Sequence, residues 1–432
     1  MLKVLCYLTL FFTIAQPGVL FPALTGRVFF LIASVTLILF TAKRVMVGMP
    51  LGKLPQRKYV YALIVVFALS VAQTGWLGGV VDTLMFWAKI AILFTLLVDM
   101  NESVRDLRRS LFTVVAAVAV LTWMGWDVYL NTPELLSGSG RLESVGYYNQ
   151  PNSFALALTV GSALAFAVLE TAPGFVRKVP FVLLVGAFAV SSVYTKSRGG
   201  NLGLAVVMLV SIIFSPGIRS RGFKALLVGA MIAGMTLAVP MIMARRDVAT
   251  YFGGDASAEN RLDAWWAGLH MIRDHPILGV GLGLFAENVK QYGMKNSMIA
   301  HNTLLSVTAE TGIIGGLIFV LIIITTLRLL WKVWRQALSD PSQRDLACLS
   351  QGILIGLVAF LINTTFSVKD SDPLLWALLG TAGSVVVVRK RLVDAAAAAS
   401  DSAPVVPCAS AARAANRDLD VFSNETPRGT RG

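Results

Sequence analysis

Apolar runs too long for a soluble core recur from one end of the chain to the other. VFFLIASVTLILF from Val28 to Phe40 and IIGGLIFVLIII from Ile313 to Ile324 are two of them. Segments approaching ~18 apolar residues cross a bilayer as helices, because lipid offers no partner to open backbone groups. Barrel strands would alternate apolar and polar residues, and these runs do not. With 56% hydrophobic and 14% charged residues, a water-soluble fold of 432 residues could not hide this much apolar surface. The chain therefore reads as an all-α integral membrane protein with about 12 transmembrane helices. The expected spans are 3–20, 26–42, 59–76, 79–98, 109–130, 152–171, 179–195, 200–215, 223–243, 302–330, 347–366 and 373–389.

The basic residues orient these spans. Lys43, Arg44, Lys53, Arg57 and Lys58 follow the second, Arg105, Arg108 and Arg109 the fourth, and Arg177 and Lys178 the sixth. Arg328, Lys332 and Arg335 follow the tenth, and Arg389, Lys390 and Arg391 the last. The positive-inside bias then makes the even-numbered connections and both termini cytoplasmic. The net charge of +13 is thus a statement about topology, and no nucleic-acid-binding pattern accompanies it. Lys3 precedes an apolar run to Ala15 with no small-x-small cleavage site, which predicts an uncleaved first helix. Cys6, Cys348 and Cys408 are scattered, without metal-ligand spacing or a disulfide framework. No internal repeat suggests the paired halves of a transporter. The expected organisation is nine spans over 1–243, an outer (periplasmic) loop over 244–301, three spans over 302–391 and a disordered cytoplasmic tail over 392–432.

The outer loop holds all three histidines, His270, His275 and His301. Connections beyond ~12–15 residues usually carry function or are disordered, and this one has periodic apolar residues. Ser257 or Asn260 can cap a helix ending near Pro276. Leu262, Trp265, Trp266, Leu269 and Ile272 share one helical face, which predicts an amphipathic helix lying on the membrane surface. Arg261, in its first turn, then sits at headgroup level, either facing an anion or simply solvated. The GVGLG segment (Gly279, Gly281, Gly283) lacks the spacing and βαβ context of a dinucleotide fingerprint and reads as a flexible turn. His301 and Asn302 stand at the entry to the tenth span.

Other outward positions go against the charge bias or carry polar chemistry. Arg198 lies in the tight turn TKSRGGN, where it holds an anion or snorkels. Arg141 precedes Tyr147, Tyr148, Asn149 and Asn152. The tyrosines can stack on sugar rings and the asparagines bond hydroxyls; alternatively the tyrosines are belt residues and Asn152 a helix cap. Arg245 and Arg246, at the start of the loop, meet lipid phosphates or anchor a helix end. Asp370-Ser371-Asp372 resembles the acidic metal pair of many sugar transferases, but Asp372-Pro373 is also a helix start. Lys89 and Glu310 fall inside spans, where charges are usually paired or functional, and a Lys89–Glu310 pair is one reading of them.

ENRLDAWWAGLHMIRDHPILGVGLGLFAEN followed by AHNTLLSVTAETGIIGGLIFVLII, with SRGG at Arg198 and NQPN at Asn149–Asn152, resembles the O-antigen ligase and polymerase family of bacterial membrane glycosyltransferases. The resemblance implies a GT-C-like helical fold with a site facing outward and no cofactor or metal. It implies an undecaprenyl-diphosphate-linked glycan donor and, for ligases, a lipid A-core acceptor, both held among membrane lipids. Its arginines and histidine fall on Arg198, Arg261 and His301 here, with Arg141, Tyr147, Asn149, Asn152, Arg245, Arg246, Lys89 and Asp370 as candidate substrate contacts. Polymerase and protein O-oligosaccharyltransferase readings share the donor, and a glycolipid transporter is the reading from another class.

Overall fold

The computed structural model describes residues 1–19, 26–48, 54–133, 136, 140–218, 220–243, 256–294, 297–365 and 367–402. Among these the chain is helical throughout, with no strand. The first nine helices are α1 (Leu2–Ala15), α2 (Gly26–Val47), α3 (Pro55–Ala72), α4 (Leu77–Met100), α5 (Val104–Asn131), α6 (Pro151–Thr171), α7 (Val179–Tyr194), α8 (Arg198–Ile213) and α9 (Arg221–Met243). After them come α10 (Ala256–Asp274), the one-turn α11 (Phe285–Asn288), α12 (Thr303–Leu338), α13 (Arg344–Thr364) and α14 (Pro373–Ser402). A helix falls on each expected span. Among the described residues 7 helices are long and apolar enough to cross a membrane, and α1, α7 and α8 are shorter apolar helices.

The chain divides into a compact unit, Met1–Arg389, and a second, Lys390–Gly432. The start of the expected disordered tail is helical, since α14 continues past Arg391 to Ser402.

The centre of the first unit is α6, packed against α13, α5, α7 and α8. Its sequence is rich in Ala, Gly and Ser, which lets backbones approach closely where lipid supplies no hydrophobic drive. A Cβ on Gly352 of α13 would lie 2.3 Å from the Ala167 Cβ of α6. One on Gly161 would lie 2.8 Å from Val118 of α5. α6 begins at Pro151, whose fixed φ suits the first helical position. Asn152 is therefore already inside the helix and does not cap it.

Charges that sequence reasoning grouped on one side of the membrane do gather at one end of the bundle. Arg44 and Arg57 both pair with Asp99 at the end of α4, at 3.0 and 2.9 Å. Lys3 pairs with Asp106 in the first turn of α5 at 2.7 Å. The helix ends remote from these residues carry the candidate site.

Candidate functional site

The loop between α10 and α12 is built against a break in α12. Gly312 has φ 72° and ψ 179°, so the helix is interrupted there. The interruption frees backbone groups, and the loop takes them. Val280 N–H donates to Ala309 O at 3.0 Å, Gly281 N–H to Glu310 O at 3.0 Å, and Ile313 N–H to Pro276 O at 2.8 Å. From α3, Ser70 Oγ donates to Glu310 O at 2.6 Å and Gln73 Nε2 to Gly279 O at 2.7 Å. Gly279, Gly281 and Gly283 all have positive φ, a region open to glycine without penalty. A Cβ on Gly279 would stand 2.3 Å from the Glu310 carbonyl carbon. GVGLG is therefore a pinned turn, in place of the flexible one expected. Of its glycines, Gly279 serves backbone approach.

Glu310, which the sequence suggests pairing with Lys89, closes this clasp. Its carboxylate accepts from Gly283 N–H at 2.9 Å, from Phe285 N–H at 3.4 Å and from Ser306 Oγ at 3.4 Å. Lys89 instead lines a largely apolar cavity of about 400 Å³ with Phe86, Tyr147, Ser371 and Trp376.

α10 packs on α12 through a stripe of small residues. Ala264, Ala267, Gly268 and Met271 are buried or nearly so, against Phe285 and Leu305 among others. Leu262, Trp266 and Leu269 are exposed, with Trp266 64% accessible. Much of the apolar face read from the sequence is thus turned away from the protein body, the side left free for the expected membrane-surface contact. Arg261 lies three and seven positions before Ala264 and Gly268, so it continues the packed stripe by one turn toward the protein. The helix starts at Ala256, so Ser257 and Asn260 lie within it. Arg245 and Arg246 fall outside the described residues.

His301 is held by the two residues after it. Asn302 caps α12, its Oδ1 accepting from Leu305 N–H at 3.0 Å. Thr303 Oγ1 donates to Ser367 O at 2.8 Å and accepts from Lys369 N–H at 2.9 Å. His301 itself has φ 50°, a conformation that costs energy in a non-glycine residue and persists only where neighbours enforce it. The imidazole is half-buried. Burial, with the positive charge of Arg261 beside it, lowers its pKa below the ordinary 6.5. Both effects favour the neutral imidazole, the form that accepts a proton.

Arg198 opens α8 at the same end of the bundle. Ser197 caps that helix, its Oγ accepting from Gly200 N–H at 3.2 Å. Gly200 lies against Ala155 near the start of α6, where a Cβ would be 2.4 Å from the Ala155 Cβ. The Arg198 side chain is exposed. Arg141 fastens the turn that precedes it: its Nε donates to Thr195 O at 2.7 Å and its Nη2 to Asn152 Oδ1 at 3.0 Å. Leu142 N–H donates to Tyr194 O at 3.0 Å. Arg141 thus ties Asn152 to the turn.

The tyrosines divide. Tyr148 is fully buried and donates to Asp372 Oδ1 at 2.9 Å, so it is core and unavailable for stacking on a sugar. Asp372 also accepts from Leu374 N–H at 2.9 Å, which is the capping role. Tyr147 is half-buried, and its carbonyl accepts from Lys369 Nζ at 3.2 Å. Burial and the charges of Asp372 and Asp370 raise the Tyr147 pKa. Burial pushes up Asp370 and Asp372 and pushes down Lys369. Asn149 is exposed beside them. Among the described residues no group of three or more His, Cys, Asp or Glu side chains is placed to hold a metal ion. Thr303, Lys369 and Gly312 do not stand out in the sequence. A glycine inside an apolar helix, two residues after a glutamate, is the signal that marks the break.

The class these features define is a multi-pass, all-helical membrane protein, with Arg198 and His301 at the same end of its bundle. Residues 180–320 match the family model described as O-antigen ligase. The chain is also similar to the exopolysaccharide production protein ExoQ of Rhizobium meliloti (strain 1021), at 24% identity over 58% of this chain and 60% of that protein. The chain thus spans about 60% of the length of this curated relative. Both matches cover part of the chain, and over that part it is similar to the O-antigen ligase and polymerase family.

Proposed function

We propose that the chain is an O-antigen ligase, which transfers a glycan from undecaprenyl diphosphate to lipid A-core oligosaccharide at the outer, periplasmic face of the bacterial inner membrane. The observation that carries this reading is the placement of Arg261 beside a half-buried His301 whose proton is held loosely. His301 takes the proton from an acceptor hydroxyl, whose oxygen attacks the anomeric carbon of the donor sugar. The bond from that carbon to the phosphate oxygen breaks, and undecaprenyl diphosphate leaves with the electron pair. Attack opposite the leaving group inverts the anomeric centre. Arg261 and Arg198 stabilise charge on the departing phosphate, since a guanidinium stays cationic and bonds phosphate oxygens in pairs. Asn149, Tyr147 and Asp370 flank this end and bond sugar hydroxyls. Arg141 and Asn152 support the Arg198 turn.

The likeness to a protein named for exopolysaccharide production favours a second reading, in which another carrier-linked glycan is the acceptor. Purified protein supplied with an undecaprenyl-diphosphate glycan separates the two. Lipid A-core, a second carrier-linked glycan and a serine-containing peptide are offered in parallel. Glycosylated lipid A-core is the expected product. Chain extension on the carrier alone makes the protein a polymerase. A modified peptide makes it an oligosaccharyltransferase, and lipid movement across vesicles without a new glycosidic bond makes it a transporter.

A further inference from the structure

A cationic cavity lies at the end of α5, α6 and α7 opposite the candidate site. It has a volume of about 250 Å³ and is lined by Arg108, Arg109 and Arg177 over Phe112, Val168 and Phe181. Arg141, Asn152 and Tyr194 mark the candidate-site end of these helices, and α6, with 21 residues, separates the two ends by about 30 Å. The cavity is therefore separate from the site around His301.

Topology alone asks for basic residues near this membrane surface; it does not ask for three guanidinium groups around one hollow. Like charges brought together repel unless an anion joins them. No carboxylate is among the described residues lining the cavity. Asp106 is the acid beside it, bonded to Lys3 at 2.7 Å and 3.9 Å from Arg109. Glu170 is turned away, accepting from Ser215 and from Gly217 N–H. Arg108 is fixed in place, its Nη1 donating to Thr171 O at 3.0 Å.

The rest of the cavity is apolar. Phe112 and Phe181 meet edge to face with centroids 6.1 Å apart, and Phe112 is half exposed. The adjoining loop carries Phe175 and Val176, each more than four-fifths exposed, directly before Arg177. A cationic rim above aromatic walls at the edge of a membrane-spanning bundle matches an anionic headgroup joined to acyl chains. We infer that Arg108, Arg109 and Arg177 bind the phosphate of an anionic phospholipid, with its chains along Phe112 and Phe181.

Native mass spectrometry of the full chain in neutral detergent, titrated with dioleoylphosphatidylglycerol, tests this. Parallel titrations use dioleoylphosphatidylcholine and inorganic phosphate as competitor. The expected result is retention of phosphatidylglycerol over phosphatidylcholine. R177Q weakens it about fivefold, and R108Q/R109Q/R177Q together by about a hundredfold. R177K retains most of the binding. Undiminished phosphatidylglycerol binding by the triple variant, or equal binding of phosphatidylcholine, overturns the inference. Displacement of the lipid by inorganic phosphate at matched concentration overturns its assignment to a lipid. If the triple variant does not fold, R177Q, at an exposed position, decides the matter alone: the fivefold loss supports the site and undiminished binding overturns it. None of these readouts depends on glycosyl transfer, so lipid binding here and the proposed function stand or fall separately.

Discussion

At the scale of single residues, the sequence nominates His301 and Arg261 by polarity, by place and by likeness, but only the fold puts them beside each other. Their neighbourhood comes from a helix face that the periodicity of large residues hides. Trp265, Trp266 and Leu269 dominate a hydrophobic reading of α10, whereas Ala264, Gly268 and Met271 make its contact with the protein. Small residues carry little hydrophobic signal and much of the packing. Arg141 shows the converse error, since a guanidinium that looks available for a ligand is bonded to Thr195 and Asn152. The His301 environment predicts a pH profile. Its pKa lies below 6.5, lowered first by burial and then by Arg261, so a transfer rate that needs neutral His301 stays level at neutral pH and falls only in acid. Arg261→Gln removes the cationic contribution and raises the His301 pKa. The acid limb of the remaining activity then moves to higher pH, while Arg261→Lys leaves it near its original place. Rates measured against pH for the three proteins check this, and an unmoved limb in Arg261→Gln contradicts it.

At the scale of elements, the long connection between α9 and α12 is legible as more than a simple linker because of its length and its apolar periodicity. Its mode of order is not legible. Three glycines in five residues have the composition of a hinge, and the partner that pins them, the break at Gly312, lies some thirty residues downstream. Such a pairing is a long-range backbone event with no local signature. Glu310 then reads as an intramembrane charge in search of a cation, although backbone amides satisfy it. Removing the carboxylate leaves the buried Phe285 N–H and Ser306 hydroxyl without this acceptor, which costs about 1–3 kcal/mol. Glu310→Ala is therefore expected to speed hydrogen exchange at Gly283 and Phe285 with little change in α5 and α6. Unchanged protection at those two amides contradicts the clasp.

At the scale of the molecule, the helical class and the positions of the helices follow from apolar runs, since lipid leaves few alternatives for the backbone. The grouping of basic residues at one end is equally accessible, because each falls at the end of an apolar run. The central position of α6 is not, because its composition resembles that of the lipid-facing helices until Gly161, Ala163 and Ala167 are seen against their neighbours. What the molecule does with this arrangement rests on one claim, that His301 is the base at a site made by α8, α10 and the start of α12. The most direct measurement is single-turnover transfer from an undecaprenyl-diphosphate glycan to lipid A-core by His301→Ala, in protein shown to be folded by its elution and melting profile. Loss of a positioned general base lowers the rate by about 10²–10⁴-fold, and that loss is the predicted result. Transfer at the wild-type rate by the folded variant contradicts the account.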